Sequence, residues 1–339
     1  MRPPSRVFAA LFVLSSLMTM AQTAGAAGQR TFVSSMGLDT NPCSVTSPCR
    51  TFSAALAQTI SGGEIVVLDS AGYGPVTIAQ SVSIVAPPGV YAGITVPSGA
   101  NGITISAGSF DVAIRGITIN SLAGAQFSIS ASNYGSLAIE SCVMSAASGG
   151  IYINSPAGTT HRDILLKDLE LNDQASIQFV NGPVNALIDR VLINRANTGL
   201  FLISSGSYVI RDTVIQHSYT VGMQTMGAGT GQNVTVENST FSGGIVGINI
   251  EGSYGGNNSL YIVGSHIFNN EGTGLQVNGG TASGGATYVA MSRNSIIGNW
   301  TGVLNSSNSA VIESNGDNTI RGNGLGGNVS GTITTVSPQ

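Results

Sequence analysis

Amide and aromatic side chains recur at one position of a repeated apolar-x-apolar triplet. The middle residues of these triplets include Tyr152, Gln178, Gln224, Asn249 and Gln276, and Phe201 interrupts the series. Neutral sugars are bound by such groups, because amides form paired hydrogen bonds and rings offer apolar faces. The alternative is an Asn/Gln ladder whose members hydrogen-bond only to one another along a stack. Both interpretations predict one row of side chains on the outside of the protein.

Charged residues recur at a second position, and their signs alternate. One repeat apart, this column contains Glu140, Lys167, Asp189, Arg211 and Glu237, and the adjacent column contains Asp168, Arg190 and Asp212. Equivalent residues of stacked strands lie roughly 4.8 Å apart, so opposite charges can form ion pairs between strands. A catalytic cluster would instead concentrate like charges to shift pKa values. We therefore predict that these columns are structural ladders that fix the register.

A repeat of 23 to 27 residues positions both sets of side chains. The triplets begin at Phe127, Ile151, Ile177, Leu200, Met223, Ile248 and Leu275, usually after Gly, Ala or Ser, where we expect a tight turn. Each repeat also has a second strand, for example at residues 186–188. A single repeat cannot bury its apolar face, so successive coils must stack, with each strand paired to its equivalent one repeat along. The Leu–Asn spacing of a leucine-rich repeat is absent.

The residues around the three cysteines predict two different roles for them. Cys43 and Cys49 enclose a short loop, and in an exported protein we expect a disulfide between them. Metal binding by this pair is less favoured, because no His or third Cys lies nearby in the sequence. Cys142 lies in an apolar-alternating stretch and is predicted to be a buried, unreactive thiol.

Residues 51–59 are the one convincing helical stretch of the chain. Thr51 is suited to the N-cap position, and Phe52, Ala55 and Leu56 lie on one face of the predicted helix. A stack of coils has exposed edges that invite association unless they are covered. We therefore expect this helix to lie across the first coil and close it.

The N-terminus has the pattern of an export signal. Arg2 and Arg6 precede an apolar run at residues 7–20, and residues 24–26 offer an A-x-A cleavage site. The run is too short for a stable membrane anchor. We predict a secreted or periplasmic protein with no membrane span after signal removal. Without Arg2 and Arg6 the chain has 10 basic and 16 acidic residues, a net charge of −6, which argues against nucleic acid as a partner.

Residues around the predicted cap resemble the motifs of a known family. They are Val33, Ser34, Gly37, Asp39, Asn41, Pro42, Pro48, Arg50, Thr51, Phe52 and Ala55, followed by Gly72 and Tyr73. This pattern resembles the opening segment of secreted bacterial β-helix proteins of the pectin-lyase-like superfamily. The resemblance covers the cap closely and the remainder as a coil pattern. The superfamily includes polysaccharide lyases and also many proteins without known activity.

The resemblance implies what catalytic residues would look like. Glycosidases of the superfamily have paired aspartates before one strand, but Gly or small residues stand at those positions here. Its lyases use calcium held by carboxylates and an Arg or Lys as the base. The candidates here are Lys167, Arg190 and Arg211 for the base and Asp168, Asp189 and Asp212 for the metal ligands. The interleaved arginines argue against a vacant cation site.

The expected architecture is all-β, a single-stranded right-handed parallel β-helix with a short N-terminal capping helix. The expected segments are a signal peptide at residues 1–26, a cap with the disulfide loop at 27–62, the β-helix at 63–331 and a tail at 332–339. We expect a monomer that binds a polysaccharide or cell-surface glycan, or presents an extracellular surface, without clear catalytic residues. A calcium-dependent uronate lyase is the alternative, and calcium is the only cofactor indicated. His161, His217 and His266 lie at unmatched positions of different repeats, which disfavours a His metal site or triad.

Overall fold

The computed structural model describes residues 28–146, 149–158, 160–226, 231–252, 256–279, 285–307 and 309–337. The predicted signal peptide at residues 1–26 lies outside these residues. The elements in chain order are β1 (Gly28–Val33), α1 (Phe52–Ala57), β2 (Thr59–Val67), β3 (Ala71–Gly72), β4 (Val76–Ile78), β5 (Val82–Val85), β6 (Ala92–Val96), β7 (Ile103–Ile105), β8 (Val112–Arg115), β9 (Ile117–Ser121), β10 (Phe127–Ser132), β11 (Leu137–Glu140), β12 (Val143–Ala146), β13 (Gly149–Ser155), β14 (Arg162–Asn172), β15 (Ile177–Asn181), β16 (Val184–Asn194), β17 (Thr198–Leu202), β18 (Gly206–Arg211), β19 (Val214–Gln216), β20 (Val221–Met226), β21 (Gln232–Glu237), β22 (Thr240–Ser242), β23 (Val246–Glu251), β24 (Asn258–Val263), β25 (His266–Phe268), β26 (Thr273–Asn278), β27 (Thr287–Ser292), β28 (Ser295–Ile297), β29 (Thr301–Asn305), β30 (Ala310–Ser314), β31 (Thr319–Arg321), β32 (Gly327–Ser330) and β33 (Thr334–Thr335).

Strand pairing in the described residues is parallel and joins equivalent strands of successive coils. In the eleven-stranded sheet, called the first sheet here, β13 lies between β10 and β15, which aligns Ile129, Ile151 and Ile177. The other strands form one 22-stranded sheet. Its second face contains β5, β8, β11 and the strands aligned with them, and its third face contains β6, β9, β12 and their equivalents. The protein is therefore an all-β parallel solenoid with almost no helix, as predicted.

Alternation along each strand separates buried from outward side chains. In β13, Ile151 and Ile153 are fully buried, whereas Tyr152 between them is partly exposed. Because equivalent residues are aligned, the buried side chains stack into one continuous core that extends from coil to coil. Burying one Ile or Leu side chain contributes roughly 2 kcal/mol. Stability therefore comes from the stack and not from a single coil.

One residue in the left-handed region turns the chain between the second and third faces. In successive coils it is Ser141, Asp168, Arg190, Asp212, Asn238, Gly264 and Arg293, with φ between 47° and 62°. Such a residue redirects the chain without a loop, so β14 and β16 run through the corner unbroken. The sequence does not reveal this bend, because the residues on both sides of it alternate as they do in a continuous strand.

Ladders of buried polar side chains line the inner side of the corners. Asn299 is 2% exposed, and its Oδ1 accepts hydrogen bonds from the backbone N–H of Asn270 at 3.1 Å and from Asn270 Nδ2 at 2.8 Å. The N–H of Asn299 donates in turn to Asn323 Oδ1 at 3.0 Å. At the other corner, the N–H of Ser265 donates to Asn294 Oδ1 at 2.9 Å. These bonds pair peptide groups that the turn removes from the sheets.

Glycine precedes most triplets because the next coil approaches its Cα closely. A Cβ atom on Gly222 would lie 2.5 Å from the carbonyl oxygen of Gly247, and one on Gly247 would lie 2.7 Å from that of Gly274. The φ angles of these glycines are not positive. Close approach between coils, rather than the tight turn predicted from the sequence, therefore requires glycine here.

The N-terminal cap contains the predicted disulfide and the predicted helix. Cys43 and Cys49 are bonded, with their Cα atoms 4.6 Å apart. Thr51 is the N-cap of α1, since its hydroxyl accepts a hydrogen bond from the N–H of Ala54 at 3.2 Å. Phe52 is fully buried, and α1 contacts β1, β2 and β4. The helix thus lies against the first coils, as expected for a cap.

The sheet extends beyond both ends of the predicted coil region. Strand β1 already pairs with β2, inside the segment predicted as the cap. At the other end, β33 pairs with β30 within the predicted tail. Among the described residues there is no helix with the length and hydropathy that a membrane crossing requires.

The buried asparagine ladder gives a first prediction. Asn299→Ala is expected to lower the free energy of unfolding by about 2–3 kcal/mol, because the N–H of Asn270 loses its buried acceptor. Asn233→Ala removes an exposed amide from β21 and should change it by less than about 0.5 kcal/mol. Urea unfolding followed by circular dichroism measures both values. Equal effects of the two substitutions would show that the ladder does not stabilise the stack.

Candidate functional site

The predicted amide row is present as one column of aligned outward residues on the first sheet. Register places Tyr152 beside Gln178, Gln178 beside Phe201 and Phe201 beside Gln224. The column continues through Asn249 and Gln276 on β23 and β26. Neighbouring strands lie about 4.8 Å apart, so the structure brings together all the predicted members of the row. Ligand binding by these residues remains a prediction.

The last two members of the row bond to a second row that sequence analysis missed. Asn249 Nδ2 donates to Glu251 at 3.1 Å, and Asn249 Oδ1 accepts from Asn278 at 3.0 Å. Gln276 Nε2 donates to Asn278 Oδ1 at 3.3 Å. Glu251 and Asn278 each lie two residues after a member of the row, and this strand spacing could have revealed them. This end of the row therefore matches the self-bonded ladder.

The polar residues at the start of the row, Tyr152, Gln178 and Gln224, have groups that are available to bind a ligand. Gln178 Nε2 donates to Ser176 Oγ at 3.1 Å, but its Oε1 has no partner among the described residues. Within that part of the chain, the Gln224 amide and the Tyr152 hydroxyl also have no hydrogen-bond partner. The Tyr152 ring stacks on Phe127, with centroids 4.7 Å apart and planes 20° apart, so one ring face is covered.

Rings and amides alternate along this part of the row. Tyr152, Gln178, Phe201 and Gln224 occupy four successive strands of the first sheet and are all partly exposed. We call these four residues the ring–amide strip. The strip can donate and accept hydrogen bonds at each amide and offers apolar surface between them.

In the described residues, the charged columns contain two of the predicted ion pairs between neighbouring coils, Arg190 with Asp168 and Arg211 with Asp189, whereas Lys167, Asp212 and Glu237 form none. Arg190 Nε and Nη2 donate to the two oxygens of Asp168 at 2.7 and 3.1 Å, and Arg190 Nη1 donates to Asp189 at 2.8 Å. Arg211 Nε donates to the same Asp189 carboxylate at 3.0 Å. The hydrogen bonds from Arg190 lower the pKa of Asp168 below its ordinary value. Opposite charges on neighbouring coils thus neutralise one another.

The acidic candidates do not fit a calcium site. Both oxygens of Asp168 and both oxygens of Asp189 accept hydrogen bonds from arginine, and Asp212 is exposed at the corner. Ca²⁺ takes six to eight oxygen ligands. In the described residues, no three His, Cys, Asp or Glu side chains are placed to share a metal ion. Of the candidate bases, Lys167 is the one without an ion pair in that part of the chain.

Cys142 and the histidines form no catalytic constellation. Cys142 is free and fully buried, and burial raises the pKa of its thiol to about 11. The predicted burial of this thiol is confirmed, and its lack of reactivity remains a prediction. His161 and His266 are exposed in different coils, and His217 lies at a left-handed corner position with φ of 55°.

The comparisons with known proteins concern the fold. A family model described as a right-handed beta helix region matches residues 175–337. The solved structure of the pectate lyase Pel9A is similar with a TM-score of 0.53 and 15% identity, over 90% of this chain and 77% of that chain. A rhamnogalacturonan lyase gives 0.44 and 11%, over 92% and 87%. The Dettilon tailspike protein gives 0.45 and 13%, over 90% and 68%. No curated protein sequence matches the chain.

The fold and these comparisons define a class. The chain contains a right-handed parallel β-helix, and its fold is similar to that of the pectate lyase Pel9A. At 15% identity, the similarity to Pel9A concerns the fold alone. The activity of this chain must therefore be argued from its own residues.

The charge ladder gives a second prediction. Asp189 is 1% exposed, and Asp189→Asn should lower the free energy of unfolding by about 1–3 kcal/mol, because Arg190 and Arg211 lose a shared ionised acceptor. Asp173 pairs with Arg195 at an exposed corner, so Asp173→Asn should cost less than about 1 kcal/mol. Denaturant unfolding at low and high salt compares the two. A cost for Asp173→Asn that equals that of Asp189→Asn would contradict the special role of Asp189.

Proposed function

We propose that this protein binds a polysaccharide or cell-surface glycan along the ring–amide strip of the first sheet. The observation that carries the proposal is the alternation of Tyr152, Gln178, Phe201 and Gln224 on four successive strands. The Tyr152 hydroxyl, the Gln224 amide and Gln178 Oε1 have no hydrogen-bond partner among the described residues, whereas Gln178 Nε2 donates to Ser176. Such groups are available to the hydroxyls of a sugar.

The coil spacing suits a long ligand. An extended glycan that runs across the strands meets one side chain of the strip about every 4.8 Å, a distance comparable to one sugar unit. Each contact is weak, but linked contacts reinforce one another because later contacts become intramolecular. The strip carries no charged side chain, which favours neutral sugar surfaces over acidic groups.

An extracytoplasmic location supports this function. The disulfide between Cys43 and Cys49 is typical of proteins from oxidising compartments. The predicted signal peptide agrees with export. We therefore place the protein in the periplasm or outside the cell as part of the proposal.

Glycan-array binding tests the strip. The combined substitutions Tyr152→Ala and Gln178→Ala should reduce the signal about tenfold or more, because a ring contact and an amide hydrogen bond each contribute roughly 1 kcal/mol. Asn278→Ala lies in the second row and serves as a control that should leave the signal within about twofold. Circular dichroism checks that the variants are folded. A signal unchanged by the combined substitutions would remove the strip as the binding surface.

A uronate lyase centred on Lys167 is the second candidate function. The observation that favours it is the Lys167 ammonium group, which forms no ion pair in the described residues, although its aligned neighbour is Asp189. Such a lysine could act as the base in abstraction of a proton beside a uronate carboxyl group. Asp168 and Asp189 form ion pairs with arginine, which argues against binding of the calcium that this chemistry would use.

Incubation with pectic and alginate polymers distinguishes glycan binding from lyase activity. We expect that incubation with the protein, with or without added calcium, produces no ultraviolet absorbance of unsaturated uronates. Appearance of that absorbance, together with its loss in Lys167→Ala and its retention in Gln178→Ala, would establish the lyase instead. Activity that survives Lys167→Ala would exclude Lys167 as the base.

A further inference from the structure

A separate depression lies at the corner between the third face and the first sheet. It has a volume of about 710 Å³, within the range of small-molecule sites. Its lining includes Arg195, Gln216, His217, Tyr219, Ile245 and Glu271. Gly243 and Gly244 of the next coil also line the depression and contribute no side chains to it. A Cβ atom on Gly243 would lie only 3.0 Å from the imidazole Cδ2 of His217.

One wall of the depression is apolar and exposed. Tyr219 is 58% exposed and Ile245 is 48% exposed, and they occupy adjacent coils of the same corner. A tyrosine ring beside an aliphatic side chain provides a surface for an apolar ligand face. Both side chains are therefore accessible to a ligand.

The polar groups around this wall are suited to hydroxyls. His217 Nδ1 lies 3.3 Å from Asn194 Oδ1, which leaves Nε2 for a ligand. The Glu271 carboxylate and the Gln216 amide have no side-chain hydrogen bond or ion pair within the described residues. A carboxylate, an amide and an imidazole together provide both donors and acceptors at short range.

The charge of the depression favours neutral sugars over acidic sugars. Arg195 forms an ion pair with Asp173, so its positive charge is compensated. Glu271 has no such partner in the described part of the chain, and the depression therefore carries net negative charge at neutral pH. An acidic sugar would meet repulsion from Glu271, whereas a neutral sugar would meet an acceptor.

We propose that this depression binds a neutral pyranose at the end or at a branch of a glycan. The pyranose ring would pack against Tyr219, and its hydroxyls would form hydrogen bonds with Glu271 and Gln216. The site lies on a different surface from the ring–amide strip and does not depend on it. Its ligand class is a neutral pyranose, not a uronate.

Saturation-transfer NMR with methyl glucoside, methyl mannoside, methyl galactoside and galacturonate tests the site. At least one neutral glycoside should bind, and galacturonate should bind more weakly. Tyr219→Ala and Glu271→Gln should each weaken the neutral glycoside about tenfold. Tyr261→Ala is the matched control, since Tyr261 is an exposed tyrosine of the second face, 44% accessible, and should change binding by less than about twofold.

The outcomes separate this site from the strip. Binding of a neutral glycoside that is lost in Tyr219→Ala and kept in Gln178→Ala supports the depression, even if the glycan array shows no role for the strip. Binding lost in Gln178→Ala and kept in Tyr219→Ala would overturn the depression. Tighter binding of galacturonate than of the neutral glycosides, or no binding of any of the four probes, would overturn it as well.

Discussion

Constant register between coils is the constraint on which the structure depends. In the described residues, strands inside the stack pair with their equivalents in the preceding and following coils, so each paired residue has a fixed neighbour on both sides. The corner between the second and third faces preserves this register, because a single left-handed residue makes the same bend in seven successive coils, from Ser141 to Arg293. Buried side chains such as Asn270 and Asn299 then bond the peptide groups of the bend to the next coil. A coil that broke this pattern would leave buried peptide groups unpaired.

The same register decides what the outer surface can do. Residues of one type at one repeat position become a column, and a column of polar groups tends to bond to itself. Arg190 and Arg211 consume the carboxylates of Asp168 and Asp189 in this way. Asn249 and Gln276 likewise use their amides on a neighbouring row. The groups available to a ligand lie where a column changes from one residue type to another or where glycines stand at a corner.

This distinction connects the two surfaces that we propose for sugars. In the ring–amide strip, aromatic residues interrupt the amides, so neighbouring side chains do not satisfy one another. In the corner depression, Gly243 and Gly244 contribute no side chains to the lining. Both surfaces are interruptions of a regular ladder. A β-helix can therefore keep its structural ladders and still present ligand groups, because the sheets hold either kind of residue at the same backbone positions.

The sequence by itself determined the period of the coil, the outward row, the alternating charges, the Cys43–Cys49 bond and the N-cap at Thr51. Each of these follows from local spacing or composition, which the repeat carries unchanged into the fold. Only the tertiary structure decided which amides are already bonded, why Gly247 must be glycine and where the depression lies. The contact between Asn249 and Asn278 and that between Gly247 and Gly274 join residues more than twenty positions apart. Sequence spacing places such residues on the same face, but the distances between their side chains arise only when the coils stack.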